Sequence, residues 1–210
     1  MTTVYFVRHA QPDYGNIHDR TRALTPEGKQ DTKAVLQFFK TKRIDCFYSS
    51  NYKRSIDTIA STAAYFHKRI HTDFRLRERE KGPNGNNRMM FQKRWSDFSY
   101  QEPGGENLQA VQQRNVAALQ DILHRHRGQT IVIGTHGTSL STILNFYDSN
   151  FGCADFLRII DWMPYIIELT FDGDRLVGKR EHLHIEKEFK SRQKMKPHAE
   201  QETAAAEAEE

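Results

Sequence analysis

Two short apolar runs in this chain each end on a histidine. Val4-Tyr5-Phe6-Val7 leads into Arg8-His9-Ala10, and Ile131-Val132-Ile133 leads through Gly134-Thr135 into His136-Gly137. A histidine offers a nitrogen that attacks or carries protons near neutral pH, and an arginine beside it offers a planar fork for a phosphate or carboxylate. A third run, Ile44-Asp45-Cys46-Phe47-Tyr48, stops at Ser49-Ser50-Asn51 and is followed by Arg54. An anion over these run ends would meet the guanidiniums of Arg8 and Arg54 and the backbone N–H groups of helix starts such as Gly137. Taken singly, a histidine or arginine is more often a packed or solvated side chain. Their common placement points to phosphate chemistry on a histidine.

The elements that must position them read as an α/β domain. Apolar, β-branched runs bounded by turn residues are strands buried on both faces, and open α/β sheets bind ligands beyond the carboxyl ends of such strands. Strands are expected at Thr3 to Arg8, Ile44 to Tyr48, Ile70 to Leu76 (an edge) and the run ending at His136. Thr25 as N-cap with Pro26 at the first helical position starts a helix whose apolar face is Val35, Leu36, Phe38 and Phe39. Further helices are expected over Tyr52 to His67, Met89 to Phe98, Leu108 to Arg127 and Thr138 to Tyr147. Lys81 to Asn87 reads as loop. Asp172-Gly173-Asp174 between Tyr165 to Phe171 and Arg175 to Leu183 is a hairpin signature. The fold class is a three-layer α/β/α sandwich around a mostly parallel sheet, over residues 1–185. Residues 186–210 form a charged tail that reads as disordered.

Composition bounds the remaining classes. The 210 residues fit one domain, with 37% hydrophobic and 28% charged residues and a net charge of +4. No run approaches the roughly 18 apolar residues of a membrane span, and no secretory leader pattern opens the chain, so no membrane association and a cytoplasmic location are expected. Cys46 and Cys153 suggest neither a disulfide framework nor a zinc site, and Cys46 reads as a buried reduced thiol. From Arg75 to Arg94 there are seven basic residues against two acids. Such an excess attracts polyanions, but only Phe91 and Trp95 interleave it, too few for a single-strand platform. The expected partner is a small phosphorylated substrate and not nucleic acid; no oligomeric state is read from the sequence.

The chain resembles the histidine phosphatase superfamily, which includes the cofactor-dependent phosphoglycerate mutases. The resemblance runs from Val4 to about Leu183. It rests on Val7-Arg8-His9-Ala10, Leu24-Thr25-Pro26-Glu27-Gly28, the segment from Tyr48-Ser49-Ser50 through Arg54-Ser55 to Thr58, Leu76-Arg77-Glu78, and Gly134-Thr135-His136-Gly137. It implies a phosphoglycerate mutase-like fold, a phosphorylated His9, a phosphoryl group held by Arg8, Arg54 and His136, and Glu78 as proton donor, with Glu80 a rival two residues away. Neutral His9 would attack phosphorus, the cations would stabilise the equatorial oxygens, and Glu78 would protonate the leaving alkoxide and then deprotonate water. A mildly acidic optimum is expected of such an acid. No metal or cofactor is required, and no metal-ligand spacing appears. Gln11 and Asn16 are candidate substrate contacts, Glu106 a candidate orienting group, and Met89, Met90, Phe91 and Trp95 candidate pocket walls.

The first motif departs from the mutases. Ala10-Gln11-Pro12-Asp13 replaces their glycine, glutamate and serine, Thr138 replaces an asparagine, and the segment between Glu78 and Leu108 is shorter than their insertion. A more open site favours hydrolysis, so the expectation is a phosphomonoesterase acting through phosphohistidine. The alternatives are mutase-type transfer and a non-catalytic phospho-ligand or partner-binding scaffold.

Overall fold

A computed structural model describes residues 1–83 and 88–187. The strands are β1 (Thr2–Arg8), β2 (Cys46–Ser49), β3 (Ile70–Thr72), β4 (Thr130–Thr135), β5 (Trp162–Asp172) and β6 (Arg175–Glu186). The helices are α1 (Pro26–Phe39), α2 (Lys53–Tyr65), α3 (Arg88–Ser96), α4 (Leu108–Arg125), α5 (Gly137–Tyr147) and α6 (Cys153–Ile159). One sheet has the order β3-β2-β4-β1-β5-β6. The first four strands are parallel, β5 runs antiparallel to β1, and β6 runs antiparallel to β5.

The apolar runs explain the layers. Val4 and Phe6 of β1 join a cluster with Leu119 and Ile122 of α4 and Ile143 of α5, whereas Tyr5 and Val7 join one with Val35 and Phe39 of α1 and Ile59 of α2. Alternate residues of one strand thus enter opposite cores, as a strand covered on both faces requires. The chain leaves β1 for the α1 face but leaves neighbouring β4 for the α5 face. The crevice between their carboxyl ends is therefore a switch point of the topology, where open α/β sheets hold ligands.

Local chemistry sets the helix boundaries. The Thr25 side chain accepts from Gly28 N at 2.9 Å, with Pro26 next in line. Asn107 caps α4 by accepting from Ala110 N at 2.8 Å. Gly28 is held against the first histidine turn, since a Cβ there would overlap the Gln11 carbonyl oxygen.

Some expectations need correction. The strand expected over Ile70 to Leu76 stops at Thr72, because Asp73 accepts from Arg75 N at 2.8 Å and turns Phe74–Leu76 into a 3-10 turn. α6 was not expected at all. Cys46 is half-buried, its thiol pushed up to about 11 by desolvation, and it forms no disulfide with Cys153. Residues 84–87 of the expected loop and 188–210 of the expected tail lie outside the described residues. No helix among the described residues is long and apolar enough to cross a membrane.

Candidate functional site

The two histidines stand one residue beyond the paired ends of β1 and β4, where His9 N donates to Thr135 O at 3.1 Å. Their ring centroids are 5.3 Å apart, and both are buried. Nδ1 of His9 lies 2.8 Å from the Ala10 carbonyl oxygen. A carbonyl only accepts, so Nδ1 carries the proton and Nε2 keeps its lone pair. Burial, then Arg54 and Arg8, holds the His9 pKa well below its ordinary value, so the ring is neutral at pH 7. The turn is fastened from α2: Ala10 N donates to Thr58 Oγ1 at 2.9 Å, and that hydroxyl donates to Arg54 O at 2.7 Å.

His136 is also kept neutral, by burial first and then by Arg54 and His9. Its Nε2 meets Ser50 Oγ at 2.7 Å, and Tyr52 N donates to the same oxygen at 3.2 Å. The Ser50 hydroxyl donates to Nε2 in one ring tautomer and accepts from it in the other. The buried Nδ1 of His136 has no hydrogen-bond partner among the described residues.

Two arginines flank the pair. Arg8 donates to Ile159 O at 2.5 Å and Ile160 O at 2.8 Å, the carbonyls that close α6. A Cβ on Gly137 would come within 3.3 Å of that guanidinium, so glycine permits the close approach. Arg54 donates to Asp19 O at 2.6 Å and pairs with the Asp19 carboxylate at 3.2 Å. Arg22 pairs with the same carboxylate at 2.5 Å.

Glu78 follows the 3-10 turn after β3 and lines the same cleft as His9. Its Oε1 accepts from Arg79 N at 2.7 Å and its Oε2 from Thr138 N, in the first turn of α5, at 3.1 Å. Arg114 of α4 holds the backbone beneath it, donating to the carbonyls of Arg75 (2.6 Å), Arg77 (2.7 Å) and Glu78 (3.2 Å). Glu106 neutralises Arg114 through two bonds of 2.7 and 2.8 Å. Glu106 therefore orients the acid's segment, and its backbone carbonyl accepts from Arg79 of the cleft wall at 3.0 Å. Glu80 does not line the cleft; its side chain is 58% exposed.

A cleft of about 230 Å³ has Arg8, His9, Arg54, Glu78 and Gly137 in its wall, while His136 is fully buried behind His9 and does not line it. Among the other expected residues, Phe91 lines it, Trp95 packs behind, and Met89 is exposed. Gln11 and Asn16 do not line it. Gln11 Oε1 accepts from Thr25 Oγ1 at 3.1 Å, and Asn16 Oδ1 from His18 N at 2.9 Å, so both are spent on loop structure. Asp19, Arg22 and Lys81 line the cleft without having been singled out, as do Phe156 and Ile160 at the end of α6. The i,i+3 opposite charges of Asp19 and Arg22 were the available signal for the first two. No group of three or more His, Cys, Asp or Glu side chains among the described residues is placed to hold a metal ion.

Fold and cleft together describe an α/β protein with an arginine-lined crevice at a switch point of its sheet. The family model for the histidine phosphatase superfamily (branch 1) matches residues 4–175, and the chain belongs to that superfamily. Phosphoserine phosphatase 1 of Hydrogenobacter thermophilus is 27% identical over 150 residues, covering 65% of this chain and 71% of that protein. Phosphoglycerate mutase-like protein 4 of Arabidopsis thaliana is 32% identical over 168 residues, covering 72% and 70%. Two solved structures share the fold. YhfR of Bacillus stearothermophilus superimposes with a TM-score of 0.69 at 24% identity, over 84% of this chain and 95% of its own. The phosphoserine phosphatase of Entamoeba histolytica in complex with 3-phosphoglyceric acid gives 0.69 at 20% identity, over 88% and 96%. The superfamily comprises phosphatases and mutases that act on small phosphorylated metabolites.

Proposed function

We propose that this chain is a phosphomonoesterase that hydrolyses a small phosphorylated metabolite through a phosphohistidine on His9. The observation that carries the reading is the tautomer of His9: a proton held at Nδ1 by the Ala10 carbonyl, and a neutral ring whose Nε2 is nucleophilic. Nε2 attacks phosphorus in line, forming the N–P bond as the ester P–O bond breaks. Arg8, Arg54, His136 and the N–H groups at the start of α5 stabilise the charge on the equatorial oxygens. An entering phosphoryl group takes the place of the Asp19 carboxylate on Arg54. Glu78 gives its proton to the departing alkoxide and then takes one from the water that attacks the phosphohistidine, which releases inorganic phosphate and restores His9.

Similarity to the phosphoserine phosphatase of Hydrogenobacter thermophilus supports hydrolysis over transfer, as does the departure of Ala10-Gln11-Pro12 and Thr138 from the mutase pattern. The test is release of phosphate from an aryl phosphate, together with acid-labile labelling of the protein. Both should vanish in His9→Ala. Undiminished turnover in that variant would overturn the assignment. Interconversion of 3-phosphoglycerate and 2-phosphoglycerate in the presence of bisphosphoglycerate would move it to the mutase alternative.

A further inference from the structure

We infer that the cleft is built for the phosphomonoester of an amphipathic alcohol, with an apolar group against Phe91, Phe156 and Ile160 and an anionic group reaching Lys81. The inference rests on the phosphatase reading above and names the class of substrate for that site. Its first support is a wall with no task in phosphoryl transfer. Phe91 of α3 meets Phe156 of α6 edge-to-face at 5.3 Å, Trp95 backs Phe156 at 5.6 Å, and Ile160 continues the surface. Phe156 and Trp95 belong to the main hydrophobic cluster, so the wall is fixed from behind, yet Phe91, Phe156 and Ile160 line the open cleft. A small polar alcohol such as glycerol would leave that surface wet, whereas an aromatic or branched group would cover it.

The second support is the state of the cations. Arg8 is held by two carbonyls, Arg22 and Arg54 share Asp19, and Arg79 shares Glu102 with Arg94. Lys81 differs. It is exposed at the mouth of the cleft and makes no ion pair among the described residues. Asp19, Glu78, Arg22 and Arg54 are the charges that act on it. An ammonium on a flexible stem suits an anion whose position varies, while the arginine forks nearer His9 suit a fixed phosphoryl group.

Four alkyl phosphates that cross the two features test this: isopropyl phosphate, phenylisopropyl phosphate, O-phospholactate and O-phosphophenyllactate. Each added feature should raise kcat/KM about tenfold, the scale of one charge-assisted contact or one well-placed aromatic contact. O-phosphophenyllactate should be the best of the four. Lys81→Met should remove the gain from the carboxylate and keep that from the phenyl group; Phe91→Ala should do the reverse. Phe91→Leu, which should lose part of the phenyl gain, serves if Phe91→Ala does not fold. Ratios are read within each variant, so a general loss of activity cancels. Hydrolysis of all four at one rate, or gains that survive their matching substitution, would overturn the inference and leave the phosphatase reading intact. Hydrolysis of none would overturn that reading and this inference with it.

Discussion

His9 and His136 are held neutral by the same surroundings that would bind an anion, and this couples the site to stability. In the unfolded chain each titrates near the ordinary 6.5, while in the folded chain each takes a proton only well below that. Above 6.5 neither state binds a proton at these rings, and the pair leaves stability untouched. As pH falls through 6.5 the unfolded state gains protons that the folded state refuses, so stability drops. The slope reaches about 1.4 kcal/mol per pH unit for each ring and ends where the folded rings finally protonate. The denaturant midpoint should therefore fall between about pH 7 and about pH 5 by this mechanism. It should fall much less in the double variant His9→Gln/His136→Gln. An identical fall in both proteins would assign the acid sensitivity to other groups. The ring state also bears on the proposed turnover, since His9 stays unprotonated into mildly acid solution.

The elements differ in how legibly they were written. β1 and β4 show in the sequence because a strand covered on both faces must be apolar at nearly every position, and the first polar residues after it mark the crevice. α1 shows because Thr25 and Pro26 are a local signal. α6 was illegible: seven residues give under two turns of pattern, and its meaning lies in Phe156 and in the carbonyls of Ile159 and Ile160 meeting Arg8, some 150 residues away. Asp19 was missed for the same reason, since its partner Arg54 lies 35 residues on. The sharpest case is α4, whose apolar face is plain in the sequence while its most consequential side chain is Arg114. By gripping the carbonyls of Arg75, Arg77 and Glu78 it fixes where Glu78 stands relative to His9. In Arg114→Leu those acceptors and Glu106 lose their donor, and the acid should drift. A displaced acid matters when the leaving oxygen needs a proton, and little when it departs as a stable phenolate. The loss of kcat should therefore be about 100-fold for an alkyl phosphate and far smaller for 4-nitrophenyl phosphate. Equal losses on the two substrates would reduce Arg114 to a support of the fold.

At the scale of the whole molecule the sequence shows a basic protein, and the structure shows where that charge goes. The segment from Arg75 to Arg94 looks like a cationic stripe, yet Arg75, Arg77, Arg79 and Arg94 each pair with an acid that lies outside it. Arg75 pairs with Asp73 and Asp121, Arg77 with Glu106, and Arg79 and Arg94 with the buried Glu102. These pairs stitch the segment onto α4 and onto the chain before it. Among the residues of the segment with described side chains, Lys81 and Lys93 make no ion pair, and Lys93 lies 3.9 Å from the centre of the Tyr100 ring. Affinity for a nucleic acid backbone grows with the number of phosphates neutralised, each contributing about −0.9 to the slope of log K against log salt on duplex DNA. Two lysines so placed support a slope of no more than about −2, too shallow for useful binding at physiological salt. Fluorescence anisotropy of a labelled duplex against this protein should show weak association at low salt that disappears by about 150 mM. A slope of about −6 or steeper would mean that the arginine pairs open to a polyanion, and would return a nucleic acid partner to consideration.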